Sequence, residues 1–166
     1  MTERNSAIRL KEHHNSTVPI LYSFRRCPYA MRARWALLEA GLLVQWREIA
    51  LKQKPAEMLQ VSPKGTVPVL VLGNGMVIDE SLAVMEWALD QADPRRLLEA
   101  GDASALVQEN DGPFKHHLDR FKYTDRHPGE LQGTHRAAGL EILQGWNQRI
   151  AANGWLLSNQ LSLADA

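Results

Sequence analysis

A chain of 166 residues with 45% hydrophobic and 23% charged residues is long enough to bury a core, as one domain or two small ones, and its balance fits neither disorder nor a membrane class. Lys+Arg and Asp+Glu both number 19, which leaves no excess positive charge to hold a phosphate backbone, so nucleic acid is not an expected partner. One cysteine rules out an internal disulfide framework and suits a reducing compartment; residues 1–17 lack a signal-peptide core and no apolar run reaches the roughly 18 residues of a spanning helix, so the expected location is cytoplasmic with no membrane partner.

Residues 1–18 read as a polar tail, whose first seventeen positions hold only Ile8 and Leu10 as large aliphatics. His13 and His14 are adjacent, share no helix or strand face and have no Cys near them, so they read as a solvated pair rather than metal ligands. Ile20-Leu21-Tyr22-Ser23-Phe24 is short, apolar and aromatic, which predicts a strand, and Pro28 to Ala40 predicts a helix ending at Gly41.

Cys27 falls at the junction between them. Pro28 suits the first helical position, and the unpaired N–H groups of a first turn, the helix dipole, Arg25 and Arg26 all favour a thiolate. Such settings bring a cysteine pKa from about 8.5 into roughly the 3.5–7.5 range. Ala30 stands where a Cys-x-x-Cys motif would have its second sulfur, so a disulfide at Cys27 must be resolved by an outside thiol, for which glutathione is the abundant cytosolic candidate. The alternative is a buried, inert cysteine.

Met31, Trp35 and Leu38 recur at helical spacing and predict one apolar stripe packed on a sheet. Residues 42–49 predict a strand with Val44 and Trp46 on one face, pairing parallel to the first. A short helix is expected over residues 55–60. Pro63 to Leu72 begins as a turn and ends as a buried strand, and Gly73-Asn74-Gly75 turns it into Met76-Val77-Ile78, a β-hairpin. Asp79-Glu80-Ser81 opens a helix to about Gln91 with almost no polar face, expected to be buried on both sides.

Beyond Asp93-Pro94 the pattern is helical. Val107, Asn110, Phe114, Leu118 and Phe121 mark one helix that Gly112-Pro113 should kink or divide; Leu131, His135, Ala138, Ile142, Trp146 and Ile150 mark another, stopped at Asn153-Gly154. His116, His117 and His135 read as surface or interface histidines, and no metal site is expected. Ser162-Leu163-Ala164-Asp165 has the spacing of a capping box.

The order strand, helix, strand, helix, strand, strand, helix is that of the thioredoxin fold as glutathione transferases use it. Cys27-Pro28-Tyr29, the Thr66-Val67-Pro68 turn and Glu80-Ser81 together resemble the N-terminal domain of cysteine-type, omega-like bacterial glutathione transferases. The resemblance implies an α/β thioredoxin-like domain over residues 19–91, a linker over 92–101 and an all-α C-terminal domain over 102–166. The final Ser-Leu-Ala-Asp-Ala stretch is similar to one that continues into further helices in the family, so the helical domain is expected to be truncated.

Glutathione follows as co-substrate, with no metal. Its zwitterionic glutamyl end needs an acceptor and a donor: Glu80 can pair with the ammonium and Ser81 can donate to the carboxylate, unless both serve only as helix caps. The resemblance carries the cysteinyl-backbone contact to Val67, with a cis bond to Pro68. It brings Lys54 towards the glycyl carboxylate, although a solvated loop lysine is as good a reading. Tyr29 is expected to shape the entrance beside the thiol. The expected activity is a glutathione-dependent thiol transferase or reductase working through a mixed disulfide at Cys27 on a small-molecule or disulfide substrate, as a homodimer. The alternative is a non-catalytic regulator or partner-binding protein of the same fold, resembling the stringent starvation proteins.

Overall fold

A computed structural model describes residues 18–166. His13, His14 and all of the expected tail except Val18 lie outside the described residues. The chain forms two compact units: one runs to Met31 and resumes over Leu43–Ala83, the other comprises Arg32–Leu42 and Val84–Ala166.

The first unit is built on a four-stranded sheet in the order β2-β1-β3-β4, from β1 (Ile20–Ser23), β2 (Gln45–Glu48), β3 (Val69–Val71) and β4 (Val77–Ile78). β1 and β2 are parallel, with Ser23 opposite Glu48; β3 runs antiparallel to both its neighbours, with Val69 opposite Tyr22 and Leu70 opposite Ile78. The predicted hairpin forms at Gly73-Asn74-Gly75. Leu72 N–H donates to Met76 O at 2.8 Å, Asn74 Oδ1 accepts from Met76 N–H at 3.0 Å, and Gly75 takes a φ of +86° that favours glycine.

A core cluster joins Tyr22, Ala30, Ile49, Met58, Val67 and Val69, with Cys27 packed half-buried against it. Met58 comes from the short helix α2 (Ala56–Val61). Full burial of a Val, Leu or Met side chain contributes about 1.5–3 kcal/mol, so this cluster anchors the sheet end from which Cys27 departs.

α1 (Pro28–Glu39) and α3 (Ser81–Gln91) each start in the first unit and continue in the second. The stripe expected on α1 is not the face that is buried. Met31 is 53% and Leu38 78% exposed, whereas Ala30, Ala33, Ala36, Leu37 and Ala40 are buried. These positions lie roughly opposite Met31 and Leu38 around a 3.6-residue turn. Large side chains mark an apolar stripe strongly, but alanines allow closer backbone approach and occupy the contact. α3 buries Val84, Met85, Ala88 and Leu89, while Glu86 and Asp90 give it the exposed edge that the sequence pattern understated.

The second unit is helical: α4 (Ser104–Glu109), α5 (Lys115–Lys122), α6 (Gln132–Asn153) and 3-10 turns at Thr124–Arg126 and Leu163–Asp165. The expected break at Gly112-Pro113 is a five-residue π-helical segment, Asn110–Phe114, joining α4 to α5. Pro113 has no N–H for an i→i−4 bond, and the wider π turn absorbs that loss without ending the helix. α6 stops at Gly154, where φ is +92° and the N–H bonds to Ile150 O at 2.7 Å. The capping box forms as predicted, with Ala164 N–H on Ser162 Oγ at 3.2 Å and Ser162 N–H on Asp165 Oδ2 at 3.0 Å.

Polar and aromatic pairs tie this unit together. Arg32 grips Asp111 in a bidentate pair at 3.0 and 2.6 Å; Arg95 grips Glu39 at 2.6 Å and lies over the Trp35 ring; Trp146 Nε1–H donates to Glu109 at 2.6 Å and its ring packs on Phe114 at 5.0 Å. Among the described residues no helix is long and apolar enough to cross a membrane.

Candidate functional site

Strand direction brings the candidate residues of the first unit to one end of the sheet. β1 runs towards Ser23 and delivers Cys27; β2, parallel to it, delivers residues 49–54 at the same end. β3 runs the other way, so Val67 and Pro68 precede it there, and β4 again points to that end, so Asp79, Glu80 and Ser81 leave it there. Segments widely separated in sequence therefore meet through register alone.

Cys27 sits at the start of α1. Its carbonyl accepts the N–H of Met31 at 2.9 Å, the first turn of the helix, and its own N–H bonds to Phe24 O at 3.0 Å. The thiol is half-buried and donates to the Val67 carbonyl, with Sγ 3.7 Å from the oxygen. Two of the residues singled out from the sequence are thus in direct contact. Val67 and Pro68 are buried and the bond between them is cis. Tyr29 is half-buried in the first turn of α1.

Lys54 is exposed, yet it folds over the turn that precedes Val67: a Cβ built on Gly65 would lie 3.3 Å from its Nζ. Gly65 itself has a φ of +63°, so both backbone and space reserve the position for glycine. Ser81 is buried at the first position of α3, and Glu80, 72% exposed on its side chain, stands just before it.

Glu80 is already engaged. Lys64 bonds to Glu80 Oε1 and approaches Asp79 Oδ1 at 3.3 Å, and Asp79 Oδ2 accepts from Ser62 Oγ at 3.0 Å. The Glu80 carboxylate, with some opposition from burial and further help from Asp79, holds Lys64 above the ordinary lysine range. This lysine was missed as a site residue because Pro63-Lys64-Gly65 carries turn chemistry; the available signal was a lone base in a turn whose strand register faces two acids at a helix start. Glu48 was missed likewise. Its Oε1 accepts the backbone N–H of Arg25 at 2.6 Å and so braces the loop that presents Cys27.

A relative from Aplysia californica, "Probable glutathione transferase", is 38% identical over 93 residues, 56% of this chain and 97% of that protein. The chain belongs to the glutathione S-transferase family. The family model described as "Glutathione S-transferase, N-terminal domain" matches residues 21–96, which contain every candidate site residue and all of the sheet but Ile20. Glutathione S-transferase omega-1 of Sus scrofa is 41% identical over 78 residues, 47% of this chain; the match spans 32% of the length of that relative. The fold is shared with omega 3C glutathione transferase from Trametes versicolor, at a TM-score of 0.75 and 23% identity over 89% of this chain and 65% of that one.

Proposed function

We propose that this family member is a glutathione-dependent thiol transferase whose nucleophile is Cys27. The observation that carries the reading is the placement of Sγ at the start of α1 and 3.7 Å from Val67 O, at the sheet end that also presents Glu80 and Ser81. A helix N-terminus favours an anion, and Arg25 and Arg26 add positive charge beside it.

The Cys27 thiolate attacks the glutathione sulfur of a glutathionylated substrate. The Cys27–glutathione disulfide forms, the old disulfide breaks, and the substrate thiolate leaves and takes a proton. A second glutathione thiolate then attacks the glutathione sulfur of the mixed disulfide, releasing oxidised glutathione and restoring the Cys27 thiolate. Ionisation has a structural consequence: a thiolate has no hydrogen to donate, so the Val67 carbonyl is released to a ligand amide, in the manner of one rung of a β-ladder.

In this reading Ser81 donates to the glutamyl carboxylate and Glu80 receives the ammonium. Lys64 occupies Oε1, and a carboxylate has room for a second cation on its other oxygen. Lys54, over Gly65, supplies a charge for the glycyl carboxylate, Pro68 shapes the turn and Tyr29 borders the thiol. A cytoplasmic homodimer completes the proposal; light scattering that shows only monomer at high concentration removes the dimer.

Oxidised glutathione should add one glutathionyl group to the chain, visible by mass and removed by reduced glutathione. Cys27→Ser should abolish adduct and thiol transfer while keeping the circular dichroism of the parent. Failure of the chain to bind a glutathione column, with no adduct formed, would instead favour a non-catalytic binding protein of the same fold.

A further inference from the structure

The three histidines that read as surface or interface residues form one cluster. His116 and His117 are neighbours on α5, and His135 lies one turn into α6. Their ring centroids are 5.0, 5.3 and 5.8 Å apart, and one ring nitrogen from each lies within 4.8 Å of those of the other two. Adjacent residues point about 100° apart around a helix, which is why the pair reads poorly as a ligand set from sequence. A third ring from a neighbouring helix removes that objection. α6 approaches closely here because Gly139, one turn beyond His135, is buried against α5: a Cβ on it would already lie 3.9 Å from His117 Cβ.

We infer that His116, His117 and His135 form a site for a borderline divalent transition-metal ion, such as Zn²⁺ or Co²⁺, bound through three imidazole nitrogens with a fourth position open to solvent. Metal–nitrogen bonds of about 2.0–2.1 Å in tetrahedral geometry place ligand nitrogens roughly 3.3 Å apart. His117 Nδ1 and His135 Nδ1 are 3.0 Å apart, close to that separation, and turning the two rings would point both nitrogens at a common ion. His116 is exposed, and a side-chain rotation brings its ring in.

Glu130 provides the independent support. Its Oε2 lies 2.7 Å from His135 Nε2, so the Nε2–H donates to the carboxylate and Nδ1 is the ring nitrogen that faces His117. A carboxylate behind a histidine is the arrangement that orients metal-binding imidazoles and raises their basicity. Ligation through His117 Nδ1 requires that ring to carry its proton on Nε2.

The local charges permit the ion. Arg120 is paired with Glu130 at 2.8 Å and Lys115 with Asp119, Arg136 is exposed, and His127 Nδ1 lies 3.8 Å from the Glu130 carboxylate. Imidazole nitrogens select Zn²⁺, Co²⁺, Ni²⁺ or Cu²⁺ over Mg²⁺ and Ca²⁺, which require oxygen.

The test uses the full chain, stripped by a chelator and carrying His13→Ala, His14→Ala, His127→Ala and Cys27→Ser to remove the other imidazoles and the thiol. Titration with Co²⁺ alone should show one equivalent bound with visible d–d bands, and Cu²⁺ should give an electron paramagnetic resonance spectrum with coupling to three nitrogens. His117→Ala or His135→Ala should weaken binding at least tenfold, and Glu130→Gln about 10–100-fold. Absence of stoichiometric binding, coupling to fewer than three nitrogens, or unchanged affinity in His135→Ala would each overturn the site. The two spectra come from a chain with its helical histidines intact, so they decide the matter even if a histidine variant does not fold.

Discussion

The sheet of the first unit and the α5–α6 pair of the second are held in different ways. Around the sheet, Leu21, Tyr22, Met58, Val69 and Leu70 are buried, and backbone pairing dictates where each strand ends. Gly139 is the one buried residue of α6, α5 has none, and Leu140 and Leu143 stay substantially exposed; bonded histidines and the Arg120–Glu130 pair provide the specific contacts. A packed sheet fixes a site through register, so a small number of side chains can be positioned with little freedom. A helix pair tied at its surface leaves its polar groups able to regroup around a ligand.

The largest expected contrast comes from truncating one leucine in each region. Leu70→Ala should cost about 2–5 kcal/mol, the range for a fully buried leucine. Leu143→Ala, at 41% exposure, should cost below about 1 kcal/mol. Denaturant unfolding of the two variants checks this, and equal losses would erase the distinction. Next comes Arg32→Ala, which removes the cation from the partly exposed Asp111 carboxylate, leaving it the Asn110 Nδ2–H at 2.9 Å, and should destabilise by about 2 kcal/mol, less than a fully buried pair. A thermal midpoint unchanged from the parent would show that this ion pair is ornamental.

Ser81→Ala sharpens the same comparison on the binding side. It should weaken glutathione binding by about 1–3 kcal/mol, the range for hydrogen bonds to charged groups, and calorimetry can read it. Unaltered affinity with an intact fold would leave Ser81 a helix residue only. The smallest effect concerns pH. His116 has a folded pKa below its unfolded value of about 6.5, so the unfolded state takes up protons first as pH falls. The stability associated with neutral His116 is therefore present above about pH 6.5 and declines as pH falls through that value towards the lower folded one. Thermal midpoints between pH 7.5 and 5, taken as approximate limits around that window, should fall less steeply in His116→Gln; parallel curves would remove His116 from the cause.

Much of the first unit was legible from sequence because its signals are local. Alternating and aromatic runs mark β1 and β3, Gly73-Asn74-Gly75 marks the hairpin, and Pro28 after Cys27 marks the start of α1. Pattern alone could not tell which face of α1 would be buried, since Met31 and Leu38 outweigh alanines in any count of hydrophobicity. Nor could it reveal that Lys64 engages Glu80, a pairing across 16 residues created by strand direction.

By itself the sequence determined the elements, the caps at Gly154 and Ser162, and the residue types able to do thiol chemistry, because those properties reside in single residues and their near neighbours. Tertiary structure decided the associations. It placed Cys27 Sγ on the Val67 carbonyl, turned the expected break at Pro113 into a π segment and gathered His116, His117 and His135 into one cluster. The physical reason is the range of the interactions: turn and capping preferences act over a few residues, whereas register and helix packing join positions whose separation along the chain carries no mark of their distance in space.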